Sequence, residues 1–566
     1  MATGDLAIYR MLHTAQTRCI MLFPRALWRT AVVLAAFAPS LVAQGEHQHG
    51  GAPTLKLGQV TFKTSCSPAG QRNFERGVAL IHSFWYEEAG KAFRAAAKAD
   101  SGCGMAHWGS AMSLLHPLWT APPPNDGQTG LAEAELAVRL TPGGGRERAY
   151  AEAIATFYRG YEPSKFRPQL EAYQGAMEKL AQRFPQDPEA QIFNALALIA
   201  VGQLDVADTT YARQRRAAAI LEPLFKRMPS HPGLAHYLIH AYDYPVLAKD
   251  GVQAAERYAS IAPAVPHAQH MPSHIYTRIG AWDSSVSSNR RSAESGHTFE
   301  QQQHLAALWD QHAHALDYLA YAYLQQGRDR EAKSVRDQVA STKATYPENS
   351  LTSDYALAAI PARYFLERGE WAKAKTLALR PAPAWRGAEA VTHFARALGA
   401  ARSEDATVAR AEVDTLASLE KELANTPAQS SWSTQVRIQR LAASAWVFRL
   451  QGDTSSAIEA ARTAADLEDI TPKHPVTPGS LLPARELYAD LLLELGRAAN
   501  ARQAYEASLY RQPNRARSLY GAARAAELVG DRAGARQWYQ ELDKLLSRGD
   551  GNRPELALAR KALASR

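Results

Sequence analysis

The sequence predicts an all-α fold, an α-solenoid of paired helices wound into a right-handed superhelix, and three observations carry that prediction. Gly496, Ala501 and Tyr505 are followed 34 residues later by Gly530, Ala535 and Tyr539, inside "LGRAANARQAYEASL" and "VGDRAGARQWYQEL". Self-similarity at one fixed period is the mark of a repeat architecture. The same Gly-then-Ala offset of five returns at Gly202/Ala207, Gly327/Ala332, Gly369/Ala374 and Gly452/Ala457, each between stretches with apolar residues at helical spacing. Glycine ends one helix in a tight turn, and alanine lets the next helix pack close against it. No Asn-Gly or Asp-Gly turn sits between alternating β-branched runs, so strand signals are essentially missing.

Taken in chain order, the first element is an export signal. Arg25 and Arg29 precede an apolar run from Ala31 to Val42 that ends at Ala43-Gln44, the charged, apolar, small-residue order of a secretory leader. The run is too short to span a bilayer. We therefore expect a signal peptide over 1–43, with residues before Met21 as an upstream extension, and a periplasmic or secreted mature chain with no transmembrane segment after cleavage. A flexible linker is expected over 44–65. Cys19 falls in the discarded segment, which leaves Cys66 and Cys103 as the thiols of the mature chain. In an oxidising compartment a disulfide between them is the expectation, with two buried unpaired thiols as the alternative. No C-x-x-C occurs, which argues against a thioredoxin-type motif, a cysteine zinc knuckle or a covalent c-type haem.

Near the start, "FERGVALIHSFWYEEAGKAFRAAAKAD" places Gly77, Ala89, Phe93 and Ala96 at the repeat offsets. With the carboxyl-terminal pair, this pattern resembles the tetratricopeptide (TPR) repeat from about residue 68 to 545. Ser101 stands where that repeat usually ends in proline, and Gly327 and Gly369 are 42 residues apart, so the middle is degenerate. "TAPPPNDGQTG" (120–130), "TPGGGRER" (141–148) and "TPKHPVTPGS" (471–480) read as Pro/Gly-rich connections. The histidines divide the array into a histidine-rich part, 66–345, and carboxyl-terminal repeats, 346–566.

Of the 18 histidines, 15 lie between His47 and His314, and only His393 and His474 follow. His82 and His116 are 34 apart, which puts them at equivalent positions on successive inner helices and stacks them along a groove; His107 faces elsewhere. His236, His240 and Asp243 fall at i, i+4 and i+7, one helical face. His267, His270 and His274 fall at i, i+3 and i+7 in "VPHAQHMPSHIYTRIGAW", and Pro272 starts a helix there, leaving His267 and His270 in the preceding loop. Neutral imidazoles at such spacing suit zinc or copper, and the scarcity of carboxylates disfavours iron or manganese. The expected ligands are His82, His236, His240, His267, His270 and His274. Glu87, Asp243, His116 and His314 are candidates for a second layer or a further ligand. His314 with Asp317 closes one end of the groove in this reading, and His47 with His49 forms a weak metal-catching arm. Trp85, Trp108 and Trp119 read as core first and as a ligand platform second.

Composition bounds the rest. Hydrophobic residues are 46% and charged residues 21% of 566, which excludes a mainly disordered, collagenous or polytopic membrane chain. Of the formal charge of +8, a surplus of three lies in the first 43 residues, and the remainder shows no basic block, so no nucleic-acid partner is expected. H-E-x-x-H, G-x-S-x-G, the P-loop pattern and a Rossmann glycine motif are missing from the sequence.

"GVALIHSFWYEEAGKAFRAAAKADSGCGMAHWGSAM", "LAHYLIHAYDYPVLA", "PHAQHMPSHIYTRIGAWDSSVSSNRRSA" and "HALDYLAYAYLQQG" are similar to a family of exported bacterial TPR-repeat proteins. The resemblance spans residues 75–330 and implies the helical-repeat fold, together with weight on His82, His240, His270 and His274; it implies no activity. Asp100-Ser101 departs from the family's usual Asp-Pro. Two functions follow: a histidine-lined groove holding zinc or copper, used for hydrolysis or redox chemistry, or a non-enzymatic scaffold in the cell envelope that binds a peptide or partner protein in its TPR groove.

Overall fold

Two residues set most of the repeat turns. Gly280, Gly327, Gly369, Gly452, Gly496 and Gly530 all have positive φ, between 65° and 82°, a conformation open to glycine at no steric cost. After Gly452 and Gly530 comes an aspartate that caps the following helix: Asp453 accepts from Ser456 N, and Asp531 from Gly534 N. Five residues beyond the glycine, Ala332, Ala374, Ala457, Ala501 and Ala535 are all buried against the preceding helix. Gly202 is the departure. It lies inside the helix Pro188–Leu204, and the turn follows it, ending at the left-handed Tyr211.

The computed structural model describes residues 55–206, 208–380, 383–426 and 429–564. The export signal over 1–43, Cys19, and the arm carrying His47 and His49 lie outside the described residues. Residues 55–564 form successive antiparallel helices, each packed on the next, from Pro68–Ile81 to Pro554–Ala564. This is a TPR-like superhelical solenoid. The only strands among the described residues are the two-residue pieces Leu308–Trp309 and Thr345–Tyr346, which pair in parallel.

Several connections differ from the sequence reading. Within residues 55–65, expected as the end of a flexible linker, Leu57 and Phe62 are buried, the Phe62 ring lying among Phe74, Trp108 and Tyr150. Much of 120–130 is helical, since Pro124 opens the helix Pro124–Leu140, and Gly127 and Gly130 let Tyr161 and Tyr158 approach its backbone. Cys66 and Cys103 form a disulfide that ties residues 37 apart, with Cα atoms 4.8 Å apart. It links the N-cap region of Pro68–Ile81 to the start of Gly104–Met112.

The last repeats close back on the middle of the chain. Trp282 Nε1 donates to Asn514 O at 2.8 Å, and Asn514 Nδ2 donates to Gly280 O at 3.1 Å. Arg553 reaches Asp329 and the carbonyls of Leu324 and Glu367. Arg515, fully buried, joins Glu486, Glu367 and the Tyr321 hydroxyl. Segment 471–480 is a connection as expected, but it folds inward. Arg363 donates to the carbonyls of Gly479 and Ser480, and Lys473 reaches Asp243.

Candidate metal centre

Three helical segments supply the histidines. Pro232–Tyr242 starts with proline at its first position and is buried on all sides, so the pair His236 and His240, one turn apart, points into protein. The next segment is broken in two by its prolines, giving the short helix Pro266–His270 and then Pro272–Arg278. His267 and His270 are therefore helical and not in a loop, and the break at Met271 turns His270 away from His267. The third segment, Asp310–Gln325, brings His314.

The result is two groups of three imidazoles. His236 Nε2 stands 3.1 Å from His240 Nε2 and 3.2 Å from His267 Nε2. His270 Nε2 stands 3.0 Å from His274 Nε2, and the His314 ring lies 4.1 Å from that of His270. Within each trio the nitrogens lie within 4.8 Å of one another. The trios are neighbours: His240 and His274 have ring centroids 6.0 Å apart, and His267 and His270 6.1 Å.

A second layer fixes which nitrogen carries the proton. His236 Nδ1 donates to the His82 carbonyl at 2.6 Å. His270 Nδ1 donates to Asn289 Oδ1 at 2.6 Å, and Asn289 is oriented by its own Nδ2, which donates to Ser285 O. His274 Nδ1 donates to Asp243 Oδ2 at 2.8 Å. With Nδ1 protonated in His270 and His274, the neutral rings bring two Nε2 lone pairs face to face, with no proton between them. Tyr318 has one hydroxyl proton to offer Thr477 O at 3.0 Å or His274 Nε2 at 3.2 Å, and His314 Nε2 has no hydrogen-bond partner. An outer partner on Nδ1 with an unpaired Nε2 is how histidine is held as a metal ligand.

Electrostatics favour the same state. Burial, then neighbouring imidazoles, pushes His236, His240, His270 and His314 well below the usual histidine range, and His267 to about 3. His274 is also lowered by burial, an effect that Asp243 partly offsets. All six are neutral at pH 7, the form that binds metal. Burial opposes ionisation of Asp243, but Lys473, Arg278 and His274 outweigh it and hold that carboxyl well below the ordinary aspartate value.

The residues expected from sequence are distributed as follows. His236, His240, His267, His270 and His274 are together. His82 stands in a separate buried group: its Nε2 pairs with Glu189 at 2.9 Å, Glu189 also takes His231 Nε2 at 2.9 Å, the ligand atoms of the three lie within 4.8 Å of one another, and His231 Nδ1 is left without a hydrogen-bond partner. His82 contributes only its carbonyl to the centre. Nor does His116 stack on His82, for it lies beyond the end of the helix Gly104–Met112 and its ring stacks on Tyr86 at 4.0 Å. His107 does face elsewhere, toward Glu133. Asp243 holds His274, as a second layer does. His314 completes a trio, while Asp317 turns instead toward Arg363. A further group, His297, Glu300 and His312, is partly exposed. Asn289, Tyr318, Lys473, Glu189 and His231 were missed; none stands at a telling spacing from the histidine runs.

The centre is buried and not an open groove, since His236 and His274 are both 0% exposed. Phe84 covers the first trio, its ring 4.4 Å from that of His236. One approach exists: His267 lines a cavity of about 400 Å3 walled by Trp85, Trp119, Trp309 and Trp385, with Glu87 at its side. Trp119, another wall of this cavity, packs near both trios, its ring 6.1 Å from that of His267 and 6.2 Å from that of His314. Of the three tryptophans weighed in the sequence, Trp108 alone is core, and Trp85 and Trp119 are cavity walls.

Comparison with known proteins supports the repeat. A tetratricopeptide repeat profile matches residues 482–515, which holds the helices Ala484–Glu494 and Ala498–Arg511. No curated protein matches the chain in sequence. Among solved structures it is similar to the human IFIT1 dimer with m7Gppp-AAAA, at 14% identity over 86% of this chain and 91% of that chain, with a TM-score of 0.35. It is also similar to the human IFIT1 dimer with PPP-AAAA, at 13% identity over 85% and 91%, again at 0.35. Those two structures hold m7Gppp-AAAA and PPP-AAAA, and the expectation of no nucleic-acid partner is not carried beyond the sequence reading. Among the described residues no helix is long and apolar enough to cross a membrane. The chain is an all-α, TPR-like helical-repeat protein with clustered histidines in its amino-terminal half.

Proposed function

We propose that this protein is an exported metalloprotein whose buried histidine centre binds a transition metal, zinc or copper, and that the cavity at His267 is where a small molecule meets it. One observation carries the reading: His270 and His274 commit both Nδ1 protons to outer partners and face each other through Nε2 at 3.0 Å. Two lone pairs at that distance repel unless a cation lies between them, and burial disfavours a proton as that cation. The donor set, all imidazole with its one carboxylate in the outer layer, suits zinc or copper rather than calcium, magnesium or manganese. Export is supported by the leader-like residues 1–43 and by the Cys66–Cys103 disulfide, which persists in an oxidising compartment. When bound, the metal supplies Lewis acidity or redox capacity; this chain's residues hold it dry and leave one face toward Trp119 and the cavity.

The test is elemental analysis of untagged protein, reconstituted with zinc or copper and dialysed. Wild-type protein retains at least a full equivalent, and a His240→Ala, His274→Ala double variant loses most of it. Trace metal in the wild type overturns the reading, and unchanged metal in the variant puts the site elsewhere.

A further inference from the structure

We infer that the six imidazoles are two metal sites side by side, one held by His236, His240 and His267 and the other by His270, His274 and His314. This rests on the metal-binding reading above and goes beyond it in the number and placement of ions. Nitrogens bound to one tetrahedral ion at ~2.0–2.1 Å stand about 3.3–3.4 Å apart. The Nε2 separations of 3.1 and 3.2 Å in the first trio and 3.0 Å between His270 and His274 lie close to that edge length. Across the trios the nearest rings are 6.0 and 6.1 Å apart between centroids. Between centroids, His236 stands 4.8 and 5.0 Å from His240 and His267, and His270 stands 5.0 and 4.1 Å from His274 and His314, so each trio gathers about one central ring, while His274 and His314, at 6.1 Å, are as far apart as the nearest rings across the trios.

Each trio also has its own support. The first is braced by the His82 carbonyl and covered by Phe84; the second is braced by Asn289 and Asp243 and flanked by Tyr318. Three protein nitrogens per ion leave a fourth position open on each, the arrangement of catalytic rather than structural sites. Trp119 touches a ring of both trios, so the two open positions share one wall and one route to the cavity.

The test is copper titration of untagged full-length protein, with Cu(II) counted after dialysis and its spin signal integrated. Wild-type protein takes up two equivalents, with fewer than one spin per copper because adjacent Cu(II) ions couple. His267→Ala and His314→Ala each retain one equivalent, and each restores one spin per copper, with far-ultraviolet circular dichroism showing that the helices persist. One equivalent in the wild type overturns the pair while leaving the metal-binding reading intact; none overturns both. Two equivalents surviving in either variant also overturns it. If a variant fails to fold, the wild-type count and spin ratio decide alone, because two equivalents with a full spin per copper would place the ions apart.

Discussion

Asp243, at the end of Pro232–Tyr242, and His274, in Pro272–Arg278, are 31 residues apart and meet through Oδ2 and Nδ1 at 2.8 Å. The same carboxylate receives Arg278 Nε and Lys473 Nζ, each at 2.8 Å, so one buried anion orients His274 and is shared by two cations. Asp243→Asn removes that charge and leaves Lys473 and Arg278 uncompensated. Loss of an outer partner of a metal-bound histidine weakens binding by about 10–100-fold. Breaking a buried ion pair from one side costs about 3–5 kcal/mol. Competition with a chromophoric chelator reads the first effect and urea unfolding the second; unchanged affinity would show that Asp243 is structural only.

The Cys66–Cys103 bond closes a 37-residue loop at the amino-terminal end of the array. In the chain-entropy account a loop of that size contributes about 4 kcal/mol. A Cys66→Ser, Cys103→Ser variant should unfold at correspondingly lower urea concentration. Adding reductant should lower the wild-type midpoint and leave the variant where it is.

Arg515 is buried with Glu486 and Glu367 on either side, at 3.0 and 2.9 Å. Arg515→Met leaves two acids facing each other in the interior, at a cost of about 3–5 kcal/mol. The melting temperature should fall, and adding Glu486→Gln should recover part of the loss. A variant as stable as the wild type would mean that the cluster contributes nothing net.

Glu468 accepts from Ser480 Oγ and Ala484 N, each at 2.7 Å, and burial raises its carboxyl to about 7. An acid whose folded value is raised contributes stability that is complete below its unfolded value, near 4.5, and lost as pH rises through 7. At 1.36 kcal/mol per unit the loss is about 3 kcal/mol. Unfolding free energies from pH 4 to 8 should therefore fall more steeply in the wild type than in Glu468→Gln. Parallel curves would rule this group out.

Much of the array is legible in sequence because its causes are local. Gly452 with Asp453, and Gly530 with Asp531, declare a turn and a cap within two residues. His236 and His240 are legible as one face for the same reason. The division into trios is not, since it depends on how far the chain rotates at Met271 between two short helices. Repeat register predicts which way His82 points and not what it meets: Glu189, 107 residues on, takes both its ring and that of His231, which gathers a third group apart from the two trios. Lys473 bore no local mark of its role.

That last contact sets an order in time. Lys473 follows Asp243 by 230 residues, and at roughly 5–20 residues per second the ribosome needs about 10–50 s to make that stretch. For the last 159 residues of that stretch, from His314 to Lys473, every histidine of the centre has been synthesised while its final cover has not. The interval before segment 471–480 docks is thus when the imidazoles are most accessible, and the speed of closure decides whether they meet an ion or are sealed without one.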